Sequence, residues 1–349
     1  MAESASESLI RFLSRYVKSG PRPILWVGAG ASAAAGYPTL AKLESLIRTE
    51  LPGATETGFA LLDRYVREFG RADLANLLQQ HLGVPTGPVA IHEAMARLLD
   101  ARVFGSVFTT NYDRLIELAL GAQKVPHTVQ VLEQNFVLSA RQDVPVLKLH
   151  GDQGDWLKVV LTTASYAEFE RSYPLLREQL NLSLRQHPVV FVGCSMRDPR
   201  TLGWLRSLLP SERTTLFASR VLITQNDWEQ IPADDRALLD ECNVRPVLVA
   251  DYAAITRTLQ EVATKLAPLA VRELVFTLTP HEDSWTVVGP TTESPSHSVP
   301  NPLRDEALLK RLSRLRTLAA AAIVDGHPAH AAQLAEGRTL ARELGEKLT

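Results

Sequence analysis

Short apolar runs alternate with amphipathic segments along most of this chain. Residues 5–18 have the apolar spacing of a helix, and after the Gly20-Pro21-Arg22-Pro23 break, Ile24 to Val27 is typical of a buried strand. Further strand-like runs follow at 103–109, 144–149, 188–193, 215–224 and 244–249. Helical patterns separate most of them, at 90–101, 112–121, 172–187, 199–209 and 233–242. Buried strands alternating with helices predict an α/β fold, a Rossmann-like, mostly parallel sheet covered on both faces.

The same patterns predict the domain organisation. Residues 1–280 are expected to form one domain, in which 40–101 is a helical insertion after the first strand and 156–186 contains a strand and helices. Residues 281–303 are rich in Ser, Thr and Pro and are predicted to be mostly a linker or an extended connection. Helical periodicity returns in 304–349, which is predicted to be a C-terminal helical hairpin. One helical pair cannot bury its own apolar face, so it packs on the main domain, pairs with another subunit or docks a partner.

Composition and charge argue against several functional classes of protein. Lys and Arg total 37 against 39 Asp and Glu, a net charge of −2, which is no electrostatic footprint for nucleic acid or an anionic membrane. The first residues have no basic region before a long apolar core, and no apolar run reaches the roughly 20 residues of a membrane span. A cytoplasmic location is therefore expected. Cys194 and Cys242 are the two cysteines, which rules out a paired C-x-x-C zinc site.

A glycine-rich loop, Gly28-Ala29-Gly30-Ala31-Ser32, follows the first strand directly. Its two glycines allow a tight turn and a close approach to a pyrophosphate. Position 33 is alanine rather than the third glycine of a dehydrogenase fingerprint, so an ordinary dehydrogenase is a poor fit. The alternative is a tight strand-to-helix turn without a ligand.

Polar side chains follow three other predicted strands. They lie in Thr109-Thr110-Asn111-Tyr112-Asp113, in Lys148-Leu149-His150-Gly151-Asp152 and in Gly193-Cys194-Ser195-Met196-Arg197-Asp198. Each has a structural alternative: Asn111, Asp113, Ser195 and Asp198 can cap helices, and His150 can be a hydrogen-bonded loop residue. Because ligands of open α/β sheets bind at the carboxyl ends of the strands, these segments are predicted to converge on one crevice.

Taken together, these motifs resemble the sirtuin family over roughly residues 20–255. GAGAS with the later Gly36-Tyr37-Pro38, TTNYD, Leu149-His150-Gly151 and Gly193-Cys194-Ser195 follow the order and approximate spacing of the family motifs. The resemblance implies that Asn111 holds the nicotinamide ribose and orients a water, that Asp113 binds the nicotinamide carboxamide, and that His150 is a general base. It also implies a set of NAD contacts: Gly28, Ala29, Gly30, Ser32, Thr110, Gly193 and Ser195.

Departures from the family pattern indicate which sirtuin activity to expect. Protein-deacylating sirtuins carry a four-cysteine zinc module, whereas Gly151 to Val192 holds no cysteine, so no zinc is expected. Thr39-Leu40-Ala41 replaces the usual Asp, Phe and Arg, and Thr224 stands where many relatives have an asparagine. The acyl-lysine cleft is thereby in doubt, while the nicotinamide end is preserved. This pattern is similar to the bacterial sirtuin-like branch that degrades NAD in anti-phage defence.

The preserved residue types suit cleavage of the nicotinamide–ribose bond. Nicotinamide leaves readily from NAD, and the sugar becomes oxocarbenium-like, as in glycoside hydrolysis. Asp113 can hold the carboxamide, Asn111 can align the ribose and a water, and His150 can accept a proton. The expected reaction is hydrolysis of NAD to nicotinamide and ADP-ribose with no metal. Cys194 is expected to pack beside the dinucleotide rather than to act as a nucleophile.

Two other functions stay open: an NAD-dependent protein deacylase, and a non-catalytic subunit that binds NAD or ADP-ribose in a defence complex. A nucleic-acid-binding module has little support. Because an unregulated NAD hydrolase would starve its own cell, activation by homo-oligomer assembly or by a partner is expected, with the C-terminal helices as the candidate contact. The resemblance implies an Argonaute-type protein or a helicase-like ATPase as possible partners, and the sequence does not choose between them.

Overall fold

The computed structural model of the chain describes residues 3–18, 20–82, 87–132, 143–209, 217–267, 277–280, 284–288 and 297–300. The helices α1 to α13 of this part span Ala5–Lys18, Gly30–Ala33, Leu40–Glu50, Gly58–Phe69, Arg71–Leu82, Ala90–Asp100, Leu115–Ala122, Thr163–Ser172, Pro174–Gln186, Pro199–Leu208, Gln225–Glu229, Ala233–Glu241 and Tyr252–Leu266. The strands β1 to β10 span Ile24–Val27, Ser106–Thr109, His127–Val131, Val144–Lys148, Val189–Val192, Ser219–Thr224, Val244–Val249, Thr277–Pro280, Ser284–Val288 and His297–Pro300.

Strands β1 to β7 form one sheet in the order β3-β4-β2-β1-β5-β6-β7. Every neighbouring pair is parallel. The chain starts in the centre at β1, builds outward through β2 on one side, and continues from β5 on the other. The predicted Rossmann-like, mostly parallel α/β fold is confirmed.

Both faces of the sheet are buried, which explains the continuous apolar runs of its strands. On one face, Trp26 of β1 packs against Phe108 of β2, Phe191 of β5 and Trp204 of α10, with ring centroids 5.5–5.9 Å apart. On the other face α6 packs between α7 and α13, and α13 contacts β6 and β7. Helices from both sides therefore hold the sheet rigid beneath the strand ends.

In its described residues, the predicted insertion at 40–101 consists of helices α3 to α6 joined by short loops, and most of it has a core of its own. Buried side chains of α3, α4 and α5 form a cluster that also takes in Trp156, Val159 and Leu161. Helix α6 differs, since it packs on α7 and α13 and so belongs to the layer that covers the sheet. The insertion therefore stands beside the sheet and can wall a site at the strand ends.

The strand expected within 156–186 is wrong. A single 3₁₀ turn, Trp156–Lys158, is followed by α8 and α9, and no strand occurs between 149 and 188, all of which is described. Val159 and Leu161 pack into the helical insertion, whereas Val160 between them packs into the sheet core. Alternating burial between two cores gives this run the pattern of a strand without strand pairing.

A second compact unit comprises residues 17–20 and 271–349. Its described part is an antiparallel sheet in the order β10-β9-β8. Strands β9 and β10 lie in the stretch predicted to be mostly linker, so part of 281–303 is sheet. The predicted hairpin at 304–349 lies outside the described residues. In the described part of the chain, no helix combines the length and the apolar character needed to cross a membrane.

Candidate active site

The carboxyl ends of β4, β2, β1, β5 and β6 open onto one cavity of about 940 Å³. Residues of the helical insertion, among them Leu40, Glu44 and Phe59, contribute a further wall. The cavity is lined by all of the residues predicted from the sequence: Gly28, Ala29, Gly30, Ser32, Thr110, Asn111, Asp113, His150, Gly193 and Ser195. The structure thus brings every predicted site residue to one place.

The glycines of the first loop pack tightly against the loop that follows β5. The Gly28 N–H donates to Val192 O and the Gly30 N–H to Gly193 O, each at 2.9 Å. A Cβ added to Gly28 would lie 2.6 Å from Gly193 O, and one added to Gly193, whose φ is +68°, would lie 2.4 Å from Ala31 N. Side chains at these positions are therefore excluded by the protein itself. The sequence predicted a tight turn and an approach to a pyrophosphate for Gly28 and Gly30, but not their contact with the loop after β5.

A hydrogen-bonded chain connects this loop to the segment after β2. Asn111 Nδ2 donates to Gly28 O at 3.1 Å and to Ser32 Oγ at 2.9 Å. Ser32 Oγ donates to Asp113 Oδ2 at 2.7 Å, and Asp113 Oδ1 accepts from the Leu115 N–H at 3.0 Å. Asp113 therefore binds the first N–H of α7, but the N-cap residue is Arg114, so Asp113 is not the cap that its structural alternative predicted. Asp113 also lines the cavity. Each ionised carboxylate oxygen has a second lone pair, so these contacts leave it able to accept from a ligand.

Two buried atoms of the cavity wall have no hydrogen-bond partner within the described residues, Asn111 Oδ1 and His150 Nε2. Buried polar atoms are nearly always hydrogen-bonded, so unpartnered atoms on two residues that line a cavity are a feature that a polar ligand can satisfy. The amide oxygen accepts a hydrogen bond, and the imidazole nitrogen donates or accepts according to its tautomer. The pair therefore fits a ligand that carries hydroxyl groups.

The imidazole of His150 is set in an aromatic pocket. Its ring centroid lies 5.3 Å from that of Tyr166 in an edge-on contact and 6.0 Å from that of Trp204. Burial lowers the pKa of His150 to about 4; Asp198 opposes this shift and Arg200 adds to it. The imidazole is accordingly neutral at physiological pH, the form that accepts a proton.

Several residues around His150 were not singled out from the sequence. Tyr166 of α8 lines the cavity, and the Arg200 guanidinium lies 3.6 Å from its ring centroid. Tyr166 lies within a helix and not at a strand end, so no sequence signal marked it.

Asp198, in contrast, was predicted from the sequence as a helix cap. It caps α10 by accepting hydrogen bonds from the Arg200 and Thr201 N–H groups at 3.2 Å, which confirms this structural alternative.

Cys194 lies against the floor of the site rather than at a reactive position. Its Sγ is 3.6 Å from Val192 O, and burial raises the pKa of its thiol, with a further contribution from Asp198. A protonated thiol is a poor nucleophile. Within the described part of the chain, no group of three His, Cys, Asp or Glu side chains is arranged to hold a metal ion.

These features define a class. A doubly wound parallel sheet with a polar cavity across its strand ends, where the chain changes direction around β1, is the arrangement of nucleotide-binding α/β proteins. Residues 105–247 match the family model of the SIR2-like domain. This match confirms the sirtuin-like resemblance, and the matched residues include Asn111, His150 and Gly193.

The chain is also similar to curated proteins that are named as NAD(+) hydrolases and as a defence-associated sirtuin. The chain is 26% identical over 260 residues to NAD(+) hydrolase ThsA of Cytobacillus dafuensis, covering 68% of this chain and 52% of that protein. It is 28% identical over 282 residues to NAD(+) hydrolase ThsA of Enterococcus faecium, covering 74% and 58%. It is 30% identical over 200 residues to Defense-associated sirtuin 2 of Bacillus subtilis, covering 53% and 19%. The chain thus spans little more than half the length of the ThsA relatives.

Two solved structures of Sir2 proteins align with about three quarters of this chain. A Sir2 enzyme aligns with a TM-score of 0.44 and 15% identity, covering 77% of this chain and 99% of the other. A Sir2 homologue in complex with NAD aligns with a TM-score of 0.41 and 12% identity, covering 73% and 94%.

Proposed function

We propose that this chain binds NAD in the strand-end cavity and hydrolyses the bond between nicotinamide and ribose, releasing nicotinamide and ADP-ribose. The observation that carries the proposal is that Asn111 and His150 both line the cavity, and that each has one buried polar atom, Asn111 Oδ1 and His150 Nε2, with no hydrogen-bond partner among the described residues. A ribose with its hydroxyl groups supplies the donors and acceptors that both atoms need. The names of the ThsA relatives support the same reaction.

The proposed roles follow from how each side chain is held. Asn111 is fixed through its Nδ2, which leaves its oxygen to align the ribose or the attacking water. Neutral His150 takes the proton released when that water attacks. Asp113 is held by Ser32 and the Leu115 N–H and accepts from the nicotinamide carboxamide. The glycine loops after β1 and β5, with Thr110 and Ser195, lie along the rest of the dinucleotide.

We place this activity in a regulated bacterial defence against phage. The support is the similarity to Defense-associated sirtuin 2 and to the ThsA proteins. Because the reaction destroys a central cofactor, its activity must be held back until infection, through assembly into a homo-oligomer or through a protein partner. The proposed partner contact is the C-terminal segment 304–349. A cytoplasmic location, where NAD is plentiful, belongs to the same proposal, as does catalysis without zinc.

The test is incubation of the purified chain with NAD, alone and together with candidate partner proteins, followed by liquid chromatography of nicotinamide and ADP-ribose. Asn111→Ala and His150→Ala are expected to abolish release. His187→Ala is the matched control. This histidine precedes β5, at the amino-terminal ends of the strands and so away from the cavity, and its Nδ1 lies 2.9 Å from Arg22 O. The control is expected to retain the parental rate.

Other products separate the alternatives. Formation of O-acyl-ADP-ribose from an acylated peptide would establish a deacylase. Tight NAD binding without nicotinamide release, in the presence of candidate partner proteins as well as alone, would contradict hydrolysis and establish a binding subunit.

A further inference from the structure

A lysine with no exposed surface lies beneath the Asn111–Asp113 segment. Lys148 is the last residue of β4, and its Nζ lies 3.0 Å from Glu117 Oε1 and 2.7 Å from Asp152 Oδ2. Lysine is almost never fully buried unless it is paired. The two carboxylates provide that pairing, and both are themselves nearly buried, with side chains 10% and 8% exposed.

The same ammonium also binds the main chain of the site. Lys148 Nζ donates to Tyr112 O at 3.2 Å and to Asp113 O. These two carbonyls belong to the residues that directly follow Asn111, in a stretch between β2 and α7 that has no regular secondary structure. Lys148 therefore fixes the backbone on which the Asn111 and Asp113 side chains are mounted.

The two carboxylates depend on Lys148 to different degrees. Asp152 is also bound by Arg114, with Nε 3.0 Å from Oδ1, and by the Gly154 N–H at 2.8 Å. Burial raises the pKa of Asp152, but Arg114, Lys148 and Gly154 together outweigh it, so the pKa lies below its ordinary value. For Glu117 burial outweighs the attraction of Lys148, and its pKa is raised. Replacing Glu117 by a neutral residue is therefore expected to cost less stability than replacing Asp152.

We propose that Lys148 is a positioning residue for the reaction, holding the Tyr112–Asp113 backbone so that Asn111 and Asp113 face the ribose and nicotinamide. The inference rests on the proposed function. Stability alone does not account for the arrangement, because an apolar pair of similar volume is commonly as stable as a buried ion pair. An apolar side chain cannot donate hydrogen bonds to Tyr112 O and Asp113 O. These two hydrogen bonds are what Lys148 contributes to the site.

The test compares Lys148→Met with Glu117→Gln by steady-state kinetics of nicotinamide release and by thermal unfolding. Lys148→Met is expected to lower kcat roughly 100-fold, the usual effect of a small misplacement of reacting groups, with KM for NAD changed less than about threefold. Glu117→Gln perturbs the same buried pair without touching the carbonyls. It is expected to change Tm but to keep kcat within about threefold of the parent.

A second variant guards against simple misfolding. Lys148→Met combined with Glu117→Leu removes both charges, while Asp152 keeps its contact with Arg114, so this protein is expected to fold and still to lose kcat. Parental kcat in the double variant, or an equal loss of kcat in Glu117→Gln, would overturn the positioning role.

Hydrogen–deuterium exchange of the peptide around residues 110–114 gives a readout that does not depend on turnover. Exchange is expected to rise in Lys148→Met and to stay at the parental level in Glu117→Gln. Unchanged exchange in Lys148→Met overturns the inference whether or not NAD is cleaved. A parent chain that releases no nicotinamide, alone or with candidate partner proteins, would instead count against the proposed function.

Discussion

Ser32 and Asp113 lie 81 positions apart in the sequence, yet Ser32 Oγ donates a hydrogen bond of 2.7 Å to Asp113 Oδ2. The same oxygen accepts from Asn111 Nδ2 at 2.9 Å, so the hydroxyl proton points to the carboxylate and its lone pair to the amide. One small side chain from the loop after β1 thereby sets the direction of two side chains from the loop after β2. The glycine-rich loop therefore orders Asn111 and Asp113, the side chains proposed to bind the ribose and the nicotinamide carboxamide.

Removal of this hydroxyl should affect both stability and turnover. Ser32→Ala leaves an Asn111 N–H and Asp113 Oδ2 without a partner in a buried place, and we expect unfolding free energy to fall by about 1–3 kcal/mol. Nicotinamide release is expected to fall at least tenfold beyond the loss of folded protein, since Asn111 and Asp113 lose their common anchor. Urea unfolding and chromatography of the same preparations measure both effects.

Thr39→Ala is the control for Ser32→Ala. Thr39 also lines the cavity, but it is exposed and its hydroxyl makes no capping hydrogen bond to α3. Parental stability and turnover are expected for this variant. A Ser32→Ala protein that behaves like Thr39→Ala would show that the hydroxyl is not the anchor.

The contact between the two strand-end loops predicts a steep cost at Gly193. Gly193→Ala places a Cβ 2.4 Å from Ala31 N and forces alanine into a φ of +68°. The backbone conformation alone costs roughly 1–3 kcal/mol, and the clash with Ala31 adds to it. Denaturant unfolding measures this loss.

Gly203 offers a matched substitution in the same part of the chain. It lies within α10, and a Cβ there meets nothing within 4 Å. Gly203→Ala is expected to stabilise the protein by up to about 1 kcal/mol, because alanine is the better helix former. Equal stabilities of the two alanine variants would mean that the loop contact is not as tight as described.

The sheet could be predicted because its strands are buried on both faces. β1 and β5 are buried throughout and appear in the sequence as continuous apolar runs, and each prediction lies within about a residue of the strand found. The β3 strand, HTVQV, was not predicted because it is an edge strand whose five residues are all only partly buried, and three of them are polar. A partly buried edge strand does not produce an apolar run.

The residues that line the cavity could be predicted from their strand-end positions, whereas their support could not. Asn111 and His150 follow strands directly, and parallel strands bring such residues together. Lys148 gave no sign of burial, since a lysine at a strand end is ordinarily assigned to the surface. Its carboxylate partner Glu117 lies on another element, so only the three-dimensional arrangement reveals the pair.

Cys194 gives a prediction about what does not react. Its raised pKa keeps the thiol protonated, and its Sγ lies 3.6 Å from the Val192 carbonyl oxygen. Cys194→Ala is expected to retain nicotinamide release within about threefold, a change expected from altered packing alone. A loss as large as that of His150→Ala would identify the thiol as a participant in the reaction.

The lowered pKa of His150 predicts how stability depends on pH. Unfolded histidine binds a proton near pH 6.5, whereas folded His150 resists it until about pH 4. Between these values the unfolded state holds more protons, so His150 makes unfolding easier as pH falls from about 6.5 to 4 and adds no further loss below that. His150→Phe keeps an aromatic ring against Tyr166 and Trp204 but cannot titrate. Urea unfolding at pH 7.5, 5.5 and 4.5 should show a smaller loss of stability in His150→Phe than in the parent. Parallel pH profiles for the two proteins would mean that His150 is not held neutral by burial.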